Sequence, residues 1–209
     1  HIETEAGKKR RLNVWEYRIP QSSHPCLPLH ELVERAARPL GFFASLTVKP
    51  DEIQKMHRLW HEHAHHFDWK YGTPNPFQRV LISPIVSHKR TFDFVRELKR
   101  IGETQEIMFD SGGYFVQKGD ITYYDLHRKL YELYQQEDWA DIYVLPDNPP
   151  LSKDSPAEAE AKIKQTVEGS LRLYGDLPEA IRQKTMPVVH ATKSEHLDYC
   201  LRNYTKAPY

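Results

Sequence analysis

Four short apolar segments alternate with amphipathic segments after residue 76, and this alternation predicts an α/β fold with a parallel sheet. Each crossover helix returns the chain to the same edge of the sheet, so consecutive strands run in one direction. A complete (β/α)8 TIM-type barrel needs roughly 250 residues. We therefore expect the 209-residue chain to contain about the first half of such a barrel, with a small open doubly wound sheet as the alternative.

The chain is predicted to divide near residue 75 into two parts. Residues 1–75 are interpreted as an N-terminal, partly helical extension, and residues 76–209 as the barrel portion. In the extension, residues 41–48 can form a short strand. A helix is predicted after Pro50 because apolar side chains recur there at steps of three and four: Ile53, Met56, Trp60, Ala64 and Phe67.

The barrel portion contains four predicted strands, at residues 80–82, 106–109, 141–145 and 187–190. The helix between the first two strands stops at Gly102. The next helix starts at Thr122, whose side chain can cap it, and a third starts at Ser155, followed by a proline and a glutamate in favourable first-turn positions. A final helix is marked by three apolar side chains: Leu197, Leu201 and Tyr204.

The overall charge is balanced, with 29 basic and 29 acidic side chains. Binding to a nucleic acid therefore needs a local basic patch, and the basic run at residues 8–11 is interpreted as a solvated tail. Cys26 and Cys200 are far apart and lack the spacing of a metal site, which favours a reducing compartment. No apolar run approaches the roughly 20 residues of a membrane span, so we expect a cytoplasmic protein with no membrane partner.

Polar side chains follow three of the predicted strands at the point where each strand ends. In both α/β architectures the functional loops lie at these carboxyl ends. We therefore predict a site with Asp110 as its catalytic residue and six substrate-binding residues: Ser111, Gly112, Gly113, Tyr114, Asp147 and His190. Structural alternatives exist for each motif, since the Asp-Ser-Gly-Gly segment and Asp147 can belong to ordinary turns, and His190 can be a hydrogen-bonded core residue.

Several of these residue types suit the chemistry of a planar ligand. Asp110 emerges from an apolar strand, so partial desolvation should raise its pKa and suit it to general acid or base catalysis. Gly112 and Gly113 permit positive φ and a close approach of the backbone to the ligand. Asp147 can accept two N–H donors from a guanine-like edge, and we expect it to contribute to recognition and little to the core. Tyr114 offers an aromatic face for stacking.

Histidines are concentrated on the predicted helix after Pro50. His57, His61 and His65 recur at four-residue intervals, and two histidines one turn apart can bind zinc or nickel. The cluster lacks a cysteine and an obvious carboxylate other than Glu62. We therefore interpret it as a solvent-facing polar surface and expect no metal or other cofactor in this segment.

Two motifs of the barrel portion occur in an order that is moderately specific. The first runs from Phe109 through the Asp-Ser-Gly-Gly turn to Tyr114, and the second covers residues 140–150 with Asp147 at the end of its strand. Together they resemble the tRNA-guanine transglycosylase superfamily, and more closely its branch that inserts 7-deazaguanines into DNA. The resemblance implies a (β/α)8 barrel that exchanges guanine for a 7-deazaguanine through a covalent glycosyl-enzyme intermediate.

The resemblance also implies individual roles. Asp110 is similar in position to the aspartate that contacts the base and handles protons, and Asp147 to the aspartate that recognises the guanine edge. Tyr114 stands where the family usually has a phenylalanine, Phe115 where it has a glutamine, and His190 on the strand with the Val-Gln-Gly segment of the tRNA enzymes. The family's nucleophilic aspartate and its structural zinc site of cysteines and a histidine lie on later segments, with no counterpart in this chain.

The sequence thus predicts a base-exchange glycosyltransferase acting on guanine in DNA or tRNA, with a 7-deazaguanine such as preQ0 as the incoming base. Its nucleophile is expected outside this chain, and a structural zinc ion in a C-terminal part. The expected partners are the nucleic acid, the base and a second copy of the chain. Two alternatives are a TIM-barrel hydrolase that uses Asp110 and His190 as an acid–base pair, and a non-catalytic nucleic-acid-binding fragment.

Overall fold

The computed structural model describes residues 43–66 and 75–206 of the chain. The basic run at residues 8–11, Cys26 and Phe67 lie outside these described residues. Within the described ranges, no helix is both long and apolar enough to cross a membrane.

Five parallel strands form one sheet in the described part of the chain. Their order in the sheet follows their order in the sequence. This confirms the predicted α/β fold with a parallel sheet, and it differs from a doubly wound sheet, in which the strand order reverses at a switch point. The strands are β1 (Ala44–Ser45), β2 (Arg79–Ile82), β3 (Glu106–Phe109), β4 (Ile142–Val144) and β5 (Thr185–Met186).

Helices follow each of the five strands. They are α1 (Pro50–His63), α2 (Lys89–Arg100), α3 (Gly113–Lys118), α4 (Tyr123–Gln136), α5 (Pro156–Asp176), α6 (Glu179–Arg182) and α7 (Ser194–Tyr204), with a 3-10 turn at Ala64–His66. The predicted caps are confirmed. The Thr122 hydroxyl accepts a hydrogen bond from the Asp125 N–H, and Ser155 and Glu158 form a reciprocal capping box at the start of α5.

The prediction for the last strand was wrong in its position. It placed the strand at residues 187–190, but the ladder between β4 and β5 ends at Met186. Pro187 has no backbone N–H to donate, so the ladder cannot continue through it. Residues 187–190 have no regular secondary structure, and α7 supports them, since the Tyr204 hydroxyl donates to the Val188 carbonyl at 2.9 Å.

Two short helices, α3 and α6, were not predicted. α3 has six residues and α6 has four. Helices of one or two turns give no sustained spacing of apolar side chains, so periodicity does not reveal them. Of the two missed helices, α3 matters more for the site, because it positions the residues that follow Asp110.

The core lies between one face of the sheet and the helices. Alternate strand side chains are fully buried there, among them Val80, Ile107, Phe109 and Tyr143. They join one cluster with buried side chains from five helices, including Ile53, Leu98, Leu126, Tyr134, Leu173 and Ile181. Each large side chain buried in this way contributes on the order of 1.5–3 kcal/mol, so this cluster fixes the sheet on which the strand ends are aligned.

Most apolar side chains on the opposite face of the sheet are only partly buried. Leu81, Met108 and Ile142 alternate with the core residues, are half-buried and lie outside the core cluster. On the same face, Arg79 and Glu106 form an ion pair with an N–O distance of 3.2 Å. The two faces of the sheet therefore differ, one packed by helices and the other apolar but partly open within the described residues.

The sheet extends into the predicted N-terminal extension. β1 pairs with β2 through Ala44 and Ser45, which confirms a strand within residues 41–48. The predicted division of the chain near residue 75 stays a prediction, because residues 67–74 lie outside the described part.

Candidate active site

Asp110 lies at the carboxyl end of β3, where it continues the sheet by one residue. Its backbone N–H donates to the Ile82 carbonyl at the end of β2, at 2.8 Å. Because side chains alternate along a strand, Asp110 lies on the same face as Met108, the partly open face of the sheet. The strand therefore presents this carboxylate at the edge where the functional loops of parallel α/β proteins lie.

The surroundings of Asp110 raise its pKa above the ordinary value. Burial is the largest cause, because it disfavours the charged form. A hydrogen bond from the Gly112 N–H, at 3.2 Å, partly offsets this effect, and the nearby charge of Asp147 adds to it. The expectation that Asp110 has a raised pKa through desolvation agrees with this geometry.

Asp147 is the most enclosed of the predicted site residues that carry a charge, with 6% of its surface exposed. The Ser111 hydroxyl donates a hydrogen bond to its Oδ1 atom. The His190 Nε2 atom lies 2.8 Å from its Oδ2 atom and donates to it. The structure thus brings together three predicted residues from three different strand ends, with Asp147 at the centre.

Gly112 and Gly113 serve different purposes in the turn. Gly112 has a φ of 77° and starts α3, so it occupies the left-handed region that favours glycine. Gly113 is not among the glycines of positive φ, so only Gly112 uses the freedom that both residues have. A Cβ atom at Gly113 would lie 2.1 Å from Asp147 Oδ1, so the missing side chain makes room for the buried carboxylate.

Tyr114 and Phe115 begin the exposed part of α3. The Tyr114 side chain is 59% exposed, and the Lys118 ammonium lies 5.4 Å from the centre of its ring. The two aromatic rings contact each other edge to face, with centroids 5.8 Å apart. Tyr114 therefore offers an accessible aromatic face one residue from Gly113, whereas Phe115 is half-buried.

Ser83 is a candidate site residue that the sequence analysis missed. It is the first residue after β2 and is 2% exposed. Its hydroxyl lies near enough to Asp110 to lower the pKa of that carboxyl slightly, although among the described residues the Oγ atom has no hydrogen bond of normal geometry. Its position directly after an apolar strand is the one signal in the sequence that indicates Ser83.

The backbone before Asp147 is fixed by hydrogen bonds from two helices. The Pro146 carbonyl accepts from Ser170 of α5 at 3.1 Å and from Tyr123 of α4 at 3.4 Å. The Asn148 N–H donates to the Thr166 hydroxyl at 2.9 Å. The loop that carries Asp147 is therefore held on both sides, which keeps the carboxylate in one position.

His190 pairs with Asp147 and not with Asp110 in the described part of the chain. This arrangement weakens the hydrolase alternative, in which Asp110 and His190 act together as an acid–base pair. The central position of Asp147 also differs from a nucleophilic triad, because in such a triad the histidine lies between the serine and the carboxylate. The arrangement instead suits an ionised carboxylate held in place by two donors.

A separate groove of about 610 Å³ lies between α4 and α5, lined among others by Tyr123, His127, Tyr131 and Arg172. None of the predicted site residues lines it. Burial lowers the pKa of His127 in this groove. We place the candidate site at the strand ends and not in this groove, because the functional loops of parallel α/β proteins lie at the carboxyl ends of the strands.

The histidine cluster is less exposed than the sequence interpretation of a solvent-facing surface implies. The His57 side chain is 20% exposed and lies edge-on against Phe77 and Phe94, with centroids 5.1 and 5.4 Å away. Its partner is Glu103, a carboxylate that the sequence analysis did not consider. Burial by itself raises the pKa of Glu103. The hydrogen bonds from His57 and His61 lower it by more, so the pKa of Glu103 is below its ordinary value.

Comparisons of the chain with protein-family models, with curated proteins and with solved structures found no match. The resemblance to the transglycosylases therefore depends on the two strand-end motifs.

Proposed function

We propose that the protein is a base-exchange glycosyltransferase that replaces guanine in DNA or tRNA with a 7-deazaguanine. The observation that carries this proposal is the pair of carboxylates at the ends of neighbouring strands. Asp147 is buried and held by two donors, whereas Asp110 has a pKa raised by burial and by the charge of Asp147. Two neighbouring carboxyl groups with different environments are suited to different tasks, one to recognition and one to proton transfer.

The architecture that we propose for the complete site is a (β/α)8 barrel. The consecutive order of the five strands supports it, because a barrel adds each new strand beside the preceding one. The partly buried apolar face with Leu81, Met108 and Ile142 also supports it, since side chains on this face fill the interior when such a sheet closes. Asp110 lies on this face, at the end where barrel enzymes have their active sites.

Asp147 is proposed to recognise the Watson–Crick edge of the purine. An ionised carboxylate has about four lone-pair positions, and Ser111 and His190 use one position on each oxygen. One acceptor position on each oxygen can then bind the N1–H and the 2-amino group of guanine. Tyr114, with its exposed ring, is proposed to stack on the base after the target nucleotide leaves its helix.

Asp110 is proposed to carry the proton of the exchange. The resemblance assigns the nucleophile to an aspartate on a later strand, which forms a bond to the anomeric carbon as the bond to guanine N9 breaks. The electron pair of the broken bond goes to the purine, which takes up a proton as it leaves. The incoming base loses a proton when it attacks the anomeric carbon and releases the carboxylate. A carboxyl group of raised pKa can give and recover this proton.

The experiment that tests this proposal measures incorporation of labelled guanine and of labelled 7-deazaguanine into DNA and into tRNA by the full-length protein. Asp110→Asn should lower the exchange rate at least a hundredfold, the usual scale of general acid–base catalysis. The matched control is Asp120→Asn, which changes an exposed aspartate that follows α3 and pairs with Lys118 at the end of that helix, and it should leave the rate unchanged.

The outcomes separate the proposal from its alternatives. Wild-type protein that incorporates neither base into either nucleic acid would contradict the transferase function and would favour a binding fragment. Active protein in which Asp110→Asn is as fast as wild type would remove Asp110 from the reaction. Loss of activity in Asp110→Asn without a fall in melting temperature supports the assigned role.

A further inference from the structure

Three side chains converge at the amino end of the sheet, opposite the candidate active site. His57 and His61 lie one turn apart on α1, and Glu103 lies in the loop just before β3. His57 Nε2 is 2.5 Å from Glu103 Oε2, and His61 Nε2 is 3.3 Å from the same oxygen. The two Nε2 atoms are 3.1 Å apart. One nitrogen or oxygen atom from each residue thus lies within 4.8 Å of those of the other two.

We propose that His57, His61 and Glu103 bind a divalent transition-metal ion of the zinc class. Bonds of about 2.0–2.1 Å in a tetrahedral site place neighbouring ligand atoms about 3.3 Å apart. The distances of 3.1 Å between the two nitrogens and 3.3 Å from His61 Nε2 to Glu103 Oε2 are already close to that value, and only the contact between His57 and Glu103 has to widen. Two imidazoles and one carboxylate suit zinc and similar ions, whereas magnesium and calcium prefer oxygen ligands alone.

The hydrogen bonding of the cluster is better satisfied around a cation. A carboxylate only accepts hydrogen bonds, so both imidazoles must present Nε2–H toward Glu103. The two N–H donors then face each other at close range, since their nitrogen atoms are 3.1 Å apart. A metal ion at the centre instead uses the lone pairs of both nitrogens and of the carboxylate.

The surrounding residues hold the ligands in position before a metal binds. His57 is fixed by the Phe77 and Phe94 rings, and the helix fixes the spacing of His57 and His61. The His61 side chain is 50% exposed, so a fourth ligand position is open to water. Since the site lies at the amino ends of the strands, we assign it a structural role: the ion links α1 to the loop between α2 and β3.

The test is a titration of the metal-free 209-residue chain with Co²⁺, whose visible absorption reports nitrogen and oxygen ligands, followed by displacement with Zn²⁺. We expect one equivalent to bind. At a free Zn²⁺ concentration about 100 times Kd, the melting temperature should rise by roughly 5–10 °C. Mg²⁺ at the same concentration should leave it unchanged.

Variants identify the ligands. His61→Gln and Glu103→Gln should each weaken Zn²⁺ binding at least tenfold and abolish the rise in melting temperature. The control is His63→Gln, on the same helix but outside the three ligands, and it should bind as wild type does. His61 is half-exposed, so its replacement should leave the fold intact and keep the test valid if Glu103→Gln proves unstable.

Two results would overturn the proposal. Wild-type protein that shows no saturable Co²⁺ or Zn²⁺ binding would reduce the cluster to a hydrogen-bonded group. Binding that persists in His61→Gln and Glu103→Gln, or that is lost in His63→Gln, would place the ion on other histidines. Neither result bears on the exchange reaction, because no residue of this cluster belongs to the candidate active site.

Discussion

The two ends of the sheet carry polar clusters of similar composition but different construction. At the carboxyl ends, Asp147 is buried between Ser111 and His190, and the residues come from three strand ends. At the amino ends, His57, His61 and Glu103 come from one helix and one loop and stay partly exposed. A buried polar group depends on each of its hydrogen bonds, whereas an exposed one exchanges them with water. The hydrogen bonds of the carboxyl-end cluster should therefore add to the free energy of unfolding by themselves. The amino-end cluster should add to it mainly through the ion that it binds.

The largest expected effect is that of Asp147→Ala on stability. The substitution leaves the Ser111 hydroxyl and the His190 imidazole without their buried partner, at a cost of about 1–3 kcal/mol for each group. We expect a loss of about 2–4 kcal/mol in the free energy of unfolding, measured by urea denaturation. Asp120→Ala is the control and should change it little. A loss below about 0.5 kcal/mol for Asp147→Ala would mean that the carboxylate is solvated and that the buried site is described incorrectly.

Gly113→Ala should destabilise the same cluster through overpacking. The new methyl group would meet the Asp147 carboxylate at 2.1 Å, and we expect a loss of about 1–3 kcal/mol. Gly175→Ala is a matched control in α5, where a Cβ atom meets nothing within 4 Å, and it should stabilise the protein by about 0.5–1 kcal/mol. Equal effects of the two substitutions would show that Asp147 does not occupy the space beside Gly113.

The sequence predicted the carboxyl-end cluster because each strand is a short apolar run that ends abruptly in a polar residue. Asp110 and Asp147 were predicted in this way. His190 was also predicted, although the strand before it ends at Met186 and not at His190. The burial of Asp147 exceeds what the sequence indicated, because its partners Ser111 and His190 come from other strand ends.

The amino-end cluster could not be predicted in the same way. Helical periodicity relates His57 to His61, since residues four apart share a face. Glu103 is 46 residues from His57, and only the packing of α1 against α2 brings the two together. Ser83 was missed for a related reason, because a lone serine after a strand is too common to indicate a site.

Glu103→Gln should have a smaller effect than either change at the carboxyl ends when no metal is present. The side chain is 25% exposed, so solvent screening limits its pairing with the two histidines to about 0–1 kcal/mol. Urea denaturation in the presence of a chelator measures this contribution. A loss above about 2 kcal/mol would mean that the cluster stabilises the fold without an ion, which would remove the contrast between the two ends.

The smallest expected effect is the change in stability caused by Asp110→Asn, and it should depend on pH. The folded-state pKa of Asp110 is raised. The stability that this carboxyl group contributes is therefore fully present below its unfolded-state pKa, and it is lost as the pH rises through its folded-state pKa. At pH 7 the substitution removes a buried charge and should raise the melting temperature slightly. This gain should shrink as the pH falls toward about 4. A gain that grows on acidification would contradict the raised pKa.

Calorimetry with two purines measures whether the carboxyl-end cluster recognises guanine through Asp147, as we propose. Hypoxanthine lacks the 2-amino group of guanine, so it loses one hydrogen bond to a carboxylate. We expect the full-length wild-type protein to bind guanine more tightly than hypoxanthine by roughly one to two orders of magnitude. Asp147→Asn, which keeps the size of the side chain, should reduce this ratio at least tenfold. Equal affinities of the wild-type protein for the two bases, or a ratio that Asp147→Asn leaves unchanged, would mean that Asp147 does not bind the 2-amino group of guanine.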